Sequence, residues 1–227
     1  MGERPQSRPS LYPPPMPRTS VAAATAELAA RDPVIAGLVE AAGPASLRRR
    51  GRERRDHFGA LARSIAYQQL AGKAAAAIHG RFEALFDGHP TAEAVLAMPE
   101  QSLRAAGLSG SKTASILDLA AKVESGVVPL DGIQRLTDED IIERLIVVRG
   151  IGRWTAEMFL IFQLGRLDVW PVDDFGVRAG YAAAYALNEA PTPKALVPLG
   201  DAFRPYRSIA AWYFWRAIEL ARESQRA

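Results

Sequence analysis

Two adjacent carboxylates, Asp173 and Asp174, stand at a helix start in the stretch LGRLDVWPVDDFGVRAG, behind a loop stiffened by Pro171. One aspartate there does routine work, capping the helix and complementing its dipole. Asp173 could be that cap, and two aspartates in a row leave one spare. A carboxylate so placed suits a reaction that develops positive charge. It can stabilise the cation, and it can orient or deprotonate a water. Cleaving an N-glycosidic bond is such a reaction, since the sugar passes through an oxocarbenium-like state as in glycoside hydrolysis.

Upstream, residues 149–156 read RGIGRWTA. Gly150 and Gly152 lack Cβ atoms, so positive φ is free and another backbone can approach closely. Ile151 between them can pin the turn to the core. A helix restarting at about Arg153 presents N–H groups at its N-terminus, where a phosphate is favoured. Arg149 and Arg153 bracket the turn with positive charge. A plain glycine-rich joint would show the same glycines. The amphipathic helices on both sides and the threonine-alanine after the turn make the anion grip the more specific reading.

The elements that position these residues read as helices almost throughout. Alanine is abundant and β-branched alternation nearly absent. Thr19 or Ser20, Asp32-Pro33, Asp56, Thr91, Pro99, Ser109 or Ser111, Thr137 and Thr192-Pro193 are start signals. Thr137, three residues before Asp140, forms a capping-box pattern. About ten helices in short connections make an all-α protein.

Bulk properties narrow the class. The chain has 227 residues, 48% of them hydrophobic, a net charge of +3 and a pI near 9.4. That is compatible with nucleic acid without being diagnostic. No apolar run approaches the roughly 18 residues of a membrane span, and the start lacks the apolar stretch of a secretion signal. The expectation is a cytoplasmic protein, nucleoid-associated in a bacterium. Six prolines among the first 17 residues suggest an extended tail over 1–18. The run LRRRGRERR (47–55) is a stronger sign of a nucleic-acid partner, although standing alone it reads as a solvated surface segment. There is no cysteine, which excludes disulfides and an iron–sulfur cluster. With three histidines, His57, His79 and His89, a histidine-based metal site is not expected either.

The segment LIVVRGIGRWTAEMFLIF resembles the helix-hairpin-helix motif, whose core is proline-glycine-apolar-glycine; Arg149 stands where proline is usual. The resemblance implies that backbone N–H groups of Gly150, Gly152 and Thr155 hold a DNA phosphate. It also implies a monovalent cation, Na+ or K+, on the carbonyls of Ile146, Val148 and Ile151. The order of hairpin, helix and then Pro-Val-Asp-Asp resembles the helix-hairpin-helix superfamily of DNA glycosylases. By that resemblance Asp174 is the catalytic carboxylate. The stretches at 64–82, 107–123 and 203–216 are similar to the alkylation-repair branch, 3-methyladenine DNA glycosylase II, so the likeness spans about residues 55–220.

Trp154 stands where the lyase-active branch carries a lysine, and without that amine no Schiff base forms with the abasic sugar. Lys73, Lys112, Lys122 and Lys194 lie elsewhere in the sequence. Trp154 and Trp215 match aromatic pocket positions, and indole faces suit a cationic methylated purine. Met158 falls where a relative has tyrosine. Tyr67, Trp212 and Phe175 are further candidates, although Trp212 and Tyr213 read rather as core. A base must be flipped out of the duplex to be cut. The wedge that fills the gap lies, in relatives, in the loop matching GLSGSK. Ser111 occupies a leucine position there, and Leu108 is the nearest apolar residue. Gln68 and Gln69 match paired glutamines expected at the lobe interface or DNA cleft. Arg207 is a candidate for a phosphate or for a carboxylate partner.

The implied protein is an all-α, two-lobed glycosylase with its active-site cleft between the lobes. One lobe would take 65–165 and the other 19–64 plus 166–227. It would be a compact, monomeric form without the β-rich N-terminal domain of the bacterial inducible enzyme. It would release 3-methyladenine- and 7-methylguanine-type bases hydrolytically from double-stranded DNA, with no required cofactor. A non-catalytic helix-hairpin-helix protein binding damaged DNA is the alternative. A glycosylase for mismatched or oxidised bases is a third.

Overall fold

The computed structural model describes residues 19–47, 56–70 and 72–224. The proline-rich segment 1–18 and residues 48–55 of the basic run fall outside that range. The described residues are helical, with no strand. The helices are α1 (Val21–Arg31), α2 (Pro33–Ala42), α3 (His57–Tyr67), α4 (Gly72–Ala84), α5 (Ala92–Ala97) and α6 (Glu100–Ala105). They continue with α7 (Gly110–Glu124), α8 (Asp138–Ile146), α9 (Arg153–Phe159), α10 (Phe175–Ala184), α11 (Pro193–Leu199) and α12 (Arg207–Ser224).

Short polar side chains set most of these starts by accepting N–H groups that a first helical turn leaves unpaired. Ser20 caps α1, choosing between the two expected positions, and Ser109 does the same for α7. Asp32 ends α1, caps α2 through the N–H groups of Val34 and Ile35, and accepts the Tyr185 hydroxyl at 2.5 Å. Asp56, Thr91, Thr137 and Thr192 cap α3, α5, α8 and α11. The Thr137 hydroxyl accepts the Asp140 N–H at 3.2 Å and donates to Asp140 Oδ2 at 2.6 Å, a side-chain bond in place of the reciprocal backbone bond of a capping box.

Two packing groups result. α12 lies against α10, α2 and α1. The approach of α10 to α12 depends on Gly180, where a Cβ would come within 1.9 Å of the Phe214 carbonyl oxygen. Tyr181, Phe203 and Phe214 fill this side edge-to-face. In the second group α3 packs on α4, α7 and α9, α7 receives α5 and α6, and α8 pairs with α9. α9 runs directly into a π-helical turn, Leu160–Leu164, of the kind often found near functional sites.

Candidate active site

The hairpin forms as the sequence suggests. α8 ends at Ile146 with Val147 as its C-cap, the chain turns over Arg149–Gly152, and α9 starts at Arg153. Gly150 has φ +76°, the left-handed region that favours glycine, and a Cβ there would stand 2.7 Å from Ser115 Oγ on α7. Ile151 is buried and anchors the turn. Gly152 is exposed and caps α9 with no side-chain bond; a Cβ on it would face open space. The first bond of the helical ladder is Ala156 N–H to the Gly152 carbonyl at 3.1 Å, so the N–H groups of 153–155 precede it. Thr155 contributes its backbone here, because its side chain is buried.

The two arginines differ. Arg149 is exposed. Arg153 is tied to Glu139 on α8 by two bonds of 2.8 Å, and its Nε lies 3.3 Å from Glu157 Oε1. Arg153 therefore staples the two hairpin helices together, and a phosphate would have to share its guanidinium with Glu139.

Asp174 joins the two packing groups. Its Oδ2 accepts the Trp154 indole N–H at 2.6 Å, from α9. Its Oδ1 accepts the Trp215 indole N–H at 2.9 Å, from α12, and the Val177 N–H at 2.7 Å. Asp174 is thus itself the cap of α10, and the expectation that Asp173 plays that part is corrected. The Asp174 N–H bonds the Pro171 carbonyl at 3.0 Å, closing a tight turn. That turn swings Asp174 inward, where it is 9% exposed, and leaves Asp173 in solvent. Gly176 makes room for the arrangement. A Cβ there would lie 2.8 Å from Trp215 Cδ1 and 3.0 Å from Asp174 Oδ1.

Around this carboxylate the aromatic surfaces are unequal. Trp154 is 43% exposed, so with its N–H turned to Asp174 it still offers ring surface to a ligand. Trp215 is half-buried and lies against Phe162 of the π-turn, centroids 5.6 Å apart at 30°. Met158 is half-buried one turn beyond Trp154. Phe175, next to Asp174, is 68% exposed. Tyr67 is engaged elsewhere: the Arg63 guanidinium lies 3.8 Å from its ring centroid and His79 meets it edgewise. Tyr213 is fully buried with its hydroxyl on the Gly43 carbonyl, and Trp212 stacks edge-on against it, as core residues do.

Other expectations resolve on their partners. Arg207 binds Asp168 through its side chain and backbone, which settles it as a carboxylate partner. Gln68 donates to the Gly150 carbonyl at 2.8 Å, tying the loop after α3 to the hairpin, while Gln69 is exposed with φ +56°. Leu108 is 2% exposed and so cannot serve as a wedge from where it sits; Ser111 is exposed. Lys112 bonds the Ala66 carbonyl and Lys122 the Val147 carbonyl, whereas Lys73 and Lys194 are exposed. The carbonyls of Ile146, Val148 and Ile151 are backbone oxygens of the sort a hard cation takes. That of Val148 accepts the Ile151 N–H at 3.1 Å and keeps a second lone pair. Among the described residues no group of three or more His, Asp or Glu could hold a metal ion, and no helix is long and apolar enough to cross a membrane.

Two relationships had no signal in the sequence. One is the double indole grip on Asp174. The other is a contact of Asp118 and Lys122 with the hairpin: the Arg149 N–H donates to Asp118 Oδ2 at 2.7 Å.

Comparison with known proteins bears on this geometry. Residues 62–198 match the family model of the HhH-GPD superfamily base excision DNA repair protein. The chain is 39% identical over 175 residues to DNA-3-methyladenine glycosylase 1 of Schizosaccharomyces pombe, covering 76% of this chain and 77% of that one. The structure of the S. pombe enzyme Mag1 with abasic DNA superposes with a TM-score of 0.78 at 38% identity, covering 87% of this chain and 97% of that one. A DNA-3-methyladenine glycosidase from Bacillus halodurans gives a TM-score of 0.77 at 36% identity, over 88% of this chain and 91% of that one.

Proposed function

The chain belongs to the HhH-GPD superfamily of base excision DNA repair proteins, and we propose that it is a monofunctional 3-methyladenine DNA glycosylase with Asp174 as its catalytic carboxylate. The observation that carries the reading is the convergence on Asp174. An ionisable side chain is held by two indole N–H groups, one from the helix that begins at the hairpin turn and one from α12. The match to S. pombe DNA-3-methyladenine glycosylase 1 over most of both chains supports the substrate class.

In this reading the turn grips a phosphate through the N–H groups of Gly150, Gly152 and Thr155, with Arg149 adding charge and Arg153 lending what Glu139 leaves of its own. The carbonyls of Ile146, Val148 and Ile151 would hold Na+ or K+, which would supply positive charge beneath the turn. A flipped alkylated base enters beside Trp154, Trp215 and Met158, in a cleft between the packing group of α3 to α9 and that of α1, α2, α10 and α12. Tyr67, already covered by Arg63, contributes at most the margin of that pocket.

Chemistry follows from what a methylated purine already carries. Methylation at N3 or N7 makes the base cationic, so it leaves neutral when the C1′–N bond breaks and takes the electron pair. Positive charge then develops on the sugar, where the Asp174 carboxylate stabilises it. Water adds to C1′ and gives up a proton, and Asp174 can orient that water. The three N–H groups on Asp174 hold it in one orientation, so little reorganisation accompanies the step. With an indole at position 154 instead of an amine, no Schiff base forms and the product strand keeps an intact abasic site.

The test uses duplex oligonucleotides carrying single defined lesions. Free 3-methyladenine should appear, and the strand should break only after alkali. A non-catalytic binder of damaged DNA would hold an abasic analogue equally well and release no base. Strand breakage without alkali would remove the monofunctional assignment.

A further inference from the structure

Helix α7 carries three residues on one face, Ser115, Asp118 and Lys122, that meet the hairpin turn. Ser115 Oγ lies beneath Gly150 at the distance that excludes a Cβ. Asp118 Oδ2 accepts the Arg149 backbone N–H at 2.7 Å and the Lys122 ammonium at 2.6 Å. Lys122 also donates to the Val147 carbonyl at 2.8 Å. Side chains from a helix distant in sequence thus take both kinds of backbone group, one donor and one acceptor, at the point where α8 gives way to the turn. Neither side chain is strongly exposed: Asp118 is 30% and Lys122 27% accessible. Burial alone would raise the Asp118 pKa, but the Lys122 ammonium and the Arg149 N–H outweigh it and hold the carboxyl below its ordinary value. A proline at position 149 would offer no N–H to this carboxylate.

We propose that Asp118, oriented by Lys122, is a positioning residue for the DNA grip: it latches the turn through the Arg149 backbone N–H, so that the N–H groups of Gly150 and Gly152 stay aimed at a phosphate. The latch is a substitute for the stiffness that a proline would give the same turn. It touches neither Asp174 nor the tryptophans, so it acts on binding and leaves the bond-breaking step alone.

The proposal rests on the clamp reading above, and the experiment separates the two. The measured quantities are Kd for a duplex with an abasic-site analogue and the single-turnover rate of base release at saturating enzyme. Asp118→Ala should raise Kd about tenfold, the scale of one hydrogen bond to a charged group, with the saturated rate within about twofold of wild type. In an Arg149→Ala background, which keeps the N–H, Asp118→Ala should again cost about tenfold. In an Arg149→Pro background, which removes it, Asp118→Ala should cost nothing further, a coupling that a general loss of stability does not produce. Asp118→Asn, which keeps an acceptor oxygen, should fall between. Wild-type Kd for Asp118→Ala, equal penalties in both backgrounds, or a loss confined to the saturated rate each overturns the latch. If Gly152→Asp binds as wild type, the clamp itself fails. If Gly152→Asp binds poorly and Asp118→Ala does not, only the latch fails.

Discussion

Trp154 donates its indole N–H to Asp174 Oδ2 at 2.6 Å, across 20 residues of sequence. One residue therefore belongs to two functions. It lies in the first turn of α9, beside the N–H groups proposed to hold DNA, and it orients the carboxylate proposed to act on the sugar. Removing the indole N–H, with the five-membered ring that carries it, tests the second role. Trp154→Phe keeps an aromatic face and should lower the single-turnover rate of base release about tenfold, with Kd for an abasic analogue little changed. Equal rates would mean that the indole acts through its ring alone.

Gly176 tests the same geometry from the other side. A methyl group there would press on Trp215 Cδ1 and Asp174 Oδ1 together, at 2.8 and 3.0 Å. The backbone of α10 accepts alanine, and alanine has the better helix propensity. Gly176→Ala should therefore fold while releasing base at least tenfold more slowly, on the order of the loss of one charge-assisted bond. A folded variant with wild-type turnover would show that the contact between Trp215 and Asp174 is dispensable.

At the turn, Gly152 faces open space, so a side chain there meets no protein atom. Gly152→Asp should leave stability nearly unchanged and place a negative charge where a phosphate is proposed to sit. Binding should weaken across all DNA sequences alike, because phosphate contacts carry no sequence information. The salt dependence of the remaining binding should also flatten. Fluorescence anisotropy with unrelated duplexes at several salt concentrations checks both. A sequence-dependent loss would argue against a backbone grip.

Glu157 provides a pH signature. Its side chain, on α9, is 6% exposed. Burial raises its pKa; Arg153 lowers it in part and Asp173 raises it again, leaving it at about 7 against an ordinary 4.5. The folded protein then binds this proton more tightly than the unfolded chain between those values. The contribution to stability is complete below about pH 4.5 and is lost as pH rises through about 7. Relative to wild type, Glu157→Gln should lose less stability between pH 5 and 8, by on the order of 3 kcal/mol. Denaturant unfolding at the two pH values measures this. Parallel behaviour of the two proteins would mean that Glu157 stays charged throughout.

Much of the fold and site is legible in the sequence, and what is not has physical reasons. Helix starts followed from Ser, Thr and Asp at cap positions, because a cap is a local bond within three residues. The hairpin followed from two glycines around an apolar residue between amphipathic helices. The choice between Asp173 and Asp174 as cap was not local. It depends on the turn closed by the Asp174 N–H on Pro171, which brings the second aspartate inward and makes it both cap and indole acceptor. Leu108 is the nearest apolar residue to the wedge position in sequence, yet hydrophobic burial claims it for the core. Asp118 left no trace at all, since a carboxylate mid-helix reads as a solvated face until the turn 31 residues later is folded onto it.

Catalysis is assigned to Asp174, and the most direct measurement is the Asp174→Asn variant on duplex DNA carrying a single 3-methyladenine. Asparagine keeps the size and a carbonyl oxygen for the Val177 and Trp215 N–H groups, and it removes the charge. The expected result is loss of base release by at least about a hundredfold, the scale of one electrostatic catalytic group. Affinity for an abasic analogue should stay within a few-fold of wild type. Base release at the wild-type rate by Asp174→Asn would contradict the assignment and place the catalytic group elsewhere.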